Sequence, residues 1–131
     1  MKKILLVLFL LVFTVPGVFA AKMVEANSVE EKFYLRPEHA SFVHRAIVKA
    51  CEDRKWRIVQ DDGKEITAVL DGRNYSLTIA ITYGNTGYTI AYKDSKGLKY
   101  NPEKNTIHSS YERWLRNLNK DINANINLLK G

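Results

Sequence analysis

From Pro37 onward the apolar positions recur at three- and four-residue steps. Phe42, Val43, Ala46, Ile47, Ala50 and Cys51 share one side of a helix, while Glu38, Ser41, Arg45, Lys49 and Glu52 crowd a narrow polar sector. Val48 and Phe42 flank the apolar side, so the pattern predicts a deeply packed helix. Pro37 suits the first helical position, where its missing N–H has no helical partner, and Glu38 complements the positive end of the helix.

After Arg54 and Lys55 the period changes to two. Trp56–Gln60, Lys64–Asp71, Tyr75–Tyr83 and Tyr88–Asp94 each read as a strand rich in β-branched and aromatic residues. The connections DDG at 61–63, DGRN at 71–74 and GNTG at 84–87 hold residues that tolerate the positive φ of tight turns, which predicts hairpins and a four-strand meander. Ile66, Ala68, Leu70, Leu77, Ile79, Ile81, Tyr83, Tyr88, Ile90 and Tyr92 alternate onto a core face. Thr67, Val69, Ser76, Thr78, Ala80, Thr82, Thr89 and Ala91 take the opposite face, which is small, weakly polar and almost uncharged before Asp71 and Lys93. That face is either solvated, as in many antiparallel sheets, or a docking surface, including one for a second copy of the chain.

A second helical period covers about Ser110 to Leu129, with Tyr111, Trp114, Leu115, Leu118, Ile122, Ile126 and Leu129 in one stripe. Ser109 and Glu112 stand in the S-x-x-E relation of a capping box. Asn117, Asn119, Asn123 and Asn127 lie off the stripe, and because Asn is a poor helix former the last turn is expected to fray. The fold class that follows is α+β: a four-stranded antiparallel meander with two helices packed on one face, in the order α-β-β-β-β-α.

The opening MKKILLVLFLLVFTVPGVFAA has two lysines, an apolar run from Ile4 to Phe13, Pro16 and Gly17, then small residues, the pattern of a secretory signal peptide. The run falls short of the roughly 20 residues that a membrane span requires. Residues 1–20 are therefore expected to be removed, after Ala20 or after Ala21, and neither cut exposes a cysteine for lipid attachment, so no stable membrane anchor is expected after cleavage. Residues 21–36 read as a tether with Lys32–Leu35 offering a short edge strand, and 37–131 as a single domain. The 131 − 20 = 111 remaining residues suffice for a core without disulfides.

Without Lys2 and Lys3 the 20 basic residues become 18 against 14 acidic ones, a formal +4 spread along helices and turns with acids interleaved. Nucleic-acid binding calls for a clustered basic face, and none is predicted. The lone Cys51 lies on the apolar side of the first helix and is expected to be a packed small hydrophobe.

Chemistry-bearing residues gather in KDSKGLKYNPEKNTIHSSYERW at 93–114. The helix cap accounts for Ser109 and Ser110, and the inward stripe for Tyr111 and Trp114. Left over are His108, Asp94 at a strand end, Tyr100 in the long connection and Arg73 in a turn, which together are the candidate binding patch. A His beside a carboxylate or serine can act as a general base. The chain has no G-x-S-x-G elbow. His39, His44 and His108 lack zinc spacing, and the G-x-x-G at Gly84 leads into a strand rather than a helix that could hold an anion. No catalytic, metal or cofactor constellation is read.

The order YKDS-x-x-L-x-Y at Tyr92–Tyr100 followed by IH-x-x-Y-x-R-W-x-x-N-L at Ile107–Leu118 resembles a group of small proteobacterial envelope proteins, often lipoproteins, of uncharacterised function. The similarity spans Trp56 to Ile122 and implies an envelope location and a compact α+β domain, with no activity attached. The chain departs from the lipoprotein pattern, with Ala20 and Ala21 where a lipid-bearing cysteine would stand. The function expected is a periplasmic or secreted, non-enzymatic module binding a small ligand or an envelope protein. A small hydrolase with His108 as base, or a structural partner in an envelope complex, is the alternative.

Overall fold

The computed structural model describes residues 22–130, with side chains through Leu128, so the signal-peptide reading of 1–20, the cut beside Ala21 and the Leu129 side chain lie outside the described residues. Seven strands and two helices follow in the order β1 (Met23–Glu25), β2 (Val29–Lys32), α1 (Ala40–Asp53), β3 (Arg57–Asp61), β4 (Glu65–Asp71), β5 (Ser76–Gly84), β6 (Gly87–Lys96), β7 (Thr106–His108) and α2 (Ser110–Lys130). The class is α+β, with antiparallel sheets and both helices on one sheet face. Leu115, Leu118, Ile122 and Ile126 of α2 share one core with Val43, Ile47 and Cys51 of α1 and with Ile66, Leu77, Ile79, Ile81 and Ile90 of the sheet.

The four-strand expectation is corrected. The large sheet has five strands in the order β2-β6-β5-β4-β3, and β1 pairs with β7 in a second, two-stranded sheet. The segment expected to be a tether thus supplies two strands, and the edge strand lies at Val29–Lys32 rather than Lys32–Leu35. The reason is physical. In β2, Val29 and Glu31 stand opposite Ile90 and Tyr88 on the core side, and Glu31 occupies its inward position by accepting a 2.8 Å hydrogen bond from Asn119 Nδ2. A strand with a satisfied carboxylate facing inward shows no apolar alternation. β1 and β7 are only three residues each, and their ends are tied by Ala26 N–H to the Asn105 carbonyl and Ser109 N–H to the Lys22 carbonyl, both 2.9 Å.

The helix boundaries obey local chemistry. Pro37–His39 form a 3₁₀ turn with Pro at its start, leading into α1. α1 ends in a Schellman motif: Trp56 N–H donates to the Cys51 carbonyl at 2.8 Å and Lys55 N–H to the Glu52 carbonyl at 3.2 Å, with Lys55 in the left-handed region at φ 67°. Trp56 then tucks into the core. At the start of α2 the expected reciprocal capping box gives way to a different arrangement. His108 Nδ1 accepts from Ser110 N–H at 3.1 Å, and Glu112 N–H donates to the Ser109 carbonyl at 3.2 Å.

Helical backbone continues to Lys130. Two asparagines of α2 bond across elements. Asn119 joins Glu31 and Tyr88, and Asn125 Nδ2 donates to the Ala46 carbonyl of α1 at 3.1 Å. At the other end of the helix pair, Arg54 grips Asp121 in a two-point fork of 2.7 and 3.2 Å. That contact holds the Asp121 carboxyl below the usual carboxylate range.

Candidate functional site

The four residues of the sequence-derived patch lie on four different segments of the fold. Arg73 is exposed in the β4–β5 turn, and Asp94 is exposed on the outer sheet face opposite Thr78. Tyr100 stacks on Tyr92, with ring centroids 4.2 Å apart, and donates to Asn105 Oδ1 at 3.2 Å. His108 lies in β7, its ring committed to Ser110 N–H and its backbone N–H to the Leu98 carbonyl. Among the described residues no hydrogen bond or ion pair links any two of the four, and no serine hydroxyl or carboxylate is bonded to His108. The segment that looked chemical in sequence is a seam of packing: Tyr92 also meets Tyr111, and Tyr75 stacks on Trp114 at 5.0 Å.

The Thr/Ala sheet face is also less plain than its sequence. Thr78 pairs with Asp94 and Ile79 with Tyr92, so Lys93 is an extra, bulged residue. Its ammonium reaches across the sheet to Thr67 Oγ1 at 3.4 Å and to Glu65 Oε2 at 4.0 Å. Thr67, which receives that bond, is only 5% exposed. A charged bridge therefore spans the face that the alternation pattern left bare.

A different cluster emerges where the first half of α1 faces the β3–β4 turn and the end of β5. His44 and Asp61 are bonded through Nε2 and Oδ2 at 2.6 Å, and the imidazole lies 5.8 Å from the Tyr83 ring, tilted by 43°. With Asp61 ionised, Nε2 is the protonated nitrogen of the neutral ring, leaving Nδ1 as the free one. Ala40, Ser41, His44, Arg45, Gly63 and Tyr83 line an open concavity of about 490 Å³. The helix period explains the grouping, since Ser41, His44 and Arg45 stand at i, i+3 and i+4 and so share a face. The turn is built by its acids: Asp62 Oδ1 accepts from Lys64 and Glu65 N–H at 2.9 and 2.8 Å, and Asp61 Oδ1 from Gly63 N–H at 3.3 Å. The backbone bonds from Lys64 and Glu65 hold the Asp62 carboxyl below its ordinary range.

Tyr83 is the residue that packing does not explain. Its hydroxyl is buried and, among the described residues, has no hydrogen-bond partner. Burial first, then the charges of Asp61 and Asp62, push its ionisation upward, so it remains a neutral O–H donor. A buried donor left unpaired costs about 1–3 kcal/mol.

Two other concavities are lined by polar groups already bonded within the fold. One of about 290 Å³ between the β1–β2 link and α2 is lined by Asn27, Tyr111, Leu115 and Asn119, but Tyr111 already donates to the Asn27 carbonyl at 2.8 Å and Asn119 is bonded on both sides. The other, about 450 Å³ beside β2, shares Tyr83 as a wall, and its Glu31 and Tyr88 are bonded to the same Asn119.

Sequence reasoning had His44 in hand but weighed it only as a metal partner of His39. The two rings are used separately, His39 stacking on Phe42 at 5.1 Å. The available signal was that His44 follows Ser41 and precedes Arg45 on one face of α1; its carboxylate, 17 residues away, could be found only from the fold.

No protein-family model matches the chain, and no curated protein matches it.

Proposed function

We propose that the chain is a non-enzymatic binding module of the bacterial cell envelope and that its ligand occupies the concavity walled by His44, Arg45 and Tyr83. The location rests on the signal-peptide pattern of residues 1–20 and the envelope-protein resemblance of Tyr92–Tyr100 and Ile107–Leu118. Among the described residues no helix is long and apolar enough to cross a membrane, which accords with it.

The single observation that carries the binding reading is the orphaned Tyr83 hydroxyl beside a histidine pinned by a carboxylate. Buried polar atoms in native proteins have partners, so one without a partner inside the fold calls for one from outside it, a water or a ligand. Tyr83→Phe should therefore leave the ligand-free domain as stable as wild type or slightly more stable, because it removes an unmet donor. The same substitution should weaken whatever fragment of a small-molecule library perturbs the amide resonances of Ser41, His44 and Gly63. A library that perturbs only the groove beside Asn27 and Tyr111, or a Tyr83→Phe protein destabilised by more than about 1 kcal/mol, would sink the assignment.

A further inference from the structure

The polar groups around this concavity are unevenly spent, and the unevenness specifies a ligand class. The acids are engaged elsewhere. Asp61 holds His44 Nε2 with one oxygen and Gly63 N–H with the other, and Asp62 accepts two backbone N–H groups through Oδ1. Neither carboxylate lines the concavity. The donors are the reverse. Arg45 makes no ion pair among the described residues, its guanidinium resting 4.8 Å above the Phe42 ring. Among the described residues the Ser41 and Tyr83 hydroxyls have no partner either. Ser41, His44 and Arg45 project from one face of α1, and Tyr83 closes the wall opposite.

Unsatisfied donors beside internally compensated acids select an anion. The remaining walls are the Ala40 methyl, the Tyr83 ring, the imidazole face and the bare backbone of Gly63, which suit a flat apolar body. Phosphate is disfavoured, because the one turn amide aimed here, Gly63 N–H, already donates to Asp61, whereas phosphate sites rely on several free backbone donors.

We infer that the site takes a small planar carboxylate, an aromatic or unsaturated acid. Its carboxylate lies against Arg45 and Ser41 and accepts from the Tyr83 hydroxyl, and its ring lies against the imidazole face. This rests on the binding reading proposed above.

The test is an amide-resonance titration of the full mature chain with benzoate, benzamide, benzylamine and phenyl phosphate. Benzoate should shift Ser41, His44, Arg45 and Gly63 and bind about ten-fold more tightly than benzamide, the margin of one charge-assisted contact. Arg45→Gln should remove that margin while leaving benzamide unchanged. Lys49→Gln, one turn further along α1 and paired with Asp53, should alter neither. Unfolding curves of both variants check that the fold persists. Equal binding of benzoate and benzamide, or tighter binding of benzylamine, overturns the anion assignment and leaves the cavity standing. Phenyl phosphate binding more tightly than benzoate overturns the carboxylate assignment alone. No shift at these amides with any probe removes the inference and the binding site together.

Discussion

Asn119 is the residue whose loss should be most revealing. Its side chain sits in α2, accepts from the Tyr88 hydroxyl at 2.6 Å and donates to Glu31 Oε2 at 2.8 Å, so one amide ties the helix to two strands. Tyr88 is 3% exposed, and its phenol is held neutral by burial and by Glu31. Truncation to alanine leaves that hydroxyl with only the Asn119 backbone carbonyl, 3.4 Å away. A buried donor deprived of its partner costs about 1–3 kcal/mol. Against this, Asn→Ala within a helix gains about 0.6 kcal/mol of propensity. The expected net loss is about 0.5–2.5 kcal/mol, by the difference of those two terms. Asn125→Ala, which gives up only a bond to a helical carbonyl, gains the same propensity and should be close to neutral.

The assay is urea unfolding followed by the fluorescence of Trp56 and Trp114, with Tyr88→Phe and the double variant completing a cycle. Tyr88→Phe should cost about 1 kcal/mol alone, and the double variant should cost less than the sum by about 1 kcal/mol, because the two substitutions break the same bond. An Asn119→Ala protein as stable as wild type, or additivity within about 0.3 kcal/mol, would refute the idea that the amide works as a cross-link.

Three further outcomes are expected. Lys55→Gly should stabilise the protein by about 0.5–1 kcal/mol in the same assay, since a left-handed φ of 67° suits glycine at the end of α1. Gly97→Ala should lower the melting temperature, with a loss on the order of 2 kcal/mol, because the residue has φ +72° and a Cβ there would run into the Asn74 carbonyl oxygen. Burial, reinforced by Glu52, raises the Cys51 thiol from 9.0 to about 12. The folded state thus keeps a proton that the unfolded chain releases, so this contribution is whole below pH 9 and is lost as the pH rises toward 12. Between pH 8 and pH 10 the wild type should lose about 1.4 kcal/mol more than Cys51→Ala, one pH unit's worth above the unfolded value, and the native thiol should resist alkylation throughout.

How far the fold could be read from the sequence depended on whether burial was apolar. α1, the strands β3 to β6 and the stripe of α2 announce themselves because residues such as Ile47, Ile79, Ile90 and Leu118 recur at the period of their element. β2 did not, since Glu31 fills an inward position by virtue of Asn119, and β1 and β7 are too short to show any period. The Lys93 bulge was hidden because β6 reads as an unbroken alternation, and its extra residue is defined only by the partners of Thr78 and Ile79. The site was harder still. His108 drew attention by standing next to a helix start, and its ring proved to serve that start. His44 sat among core positions and gained meaning only once Asp61 was folded against it.

The pairing of the earliest strands with the latest ones governs how the molecule can come into being. Val24 waits for Ile107 and Val29 for Ile90, so whichever machine delivers the polypeptide from its N-terminus, the leading residues hang unmatched until nearly the whole length has followed. Closing such distant pairs is slow relative to local hairpins. A fragment that stops short of Asn105 would leave β1 without β7 and Ala26 without its carbonyl partner, which makes completion of the chain its own quality check and leaves prematurely halted copies open to proteolysis.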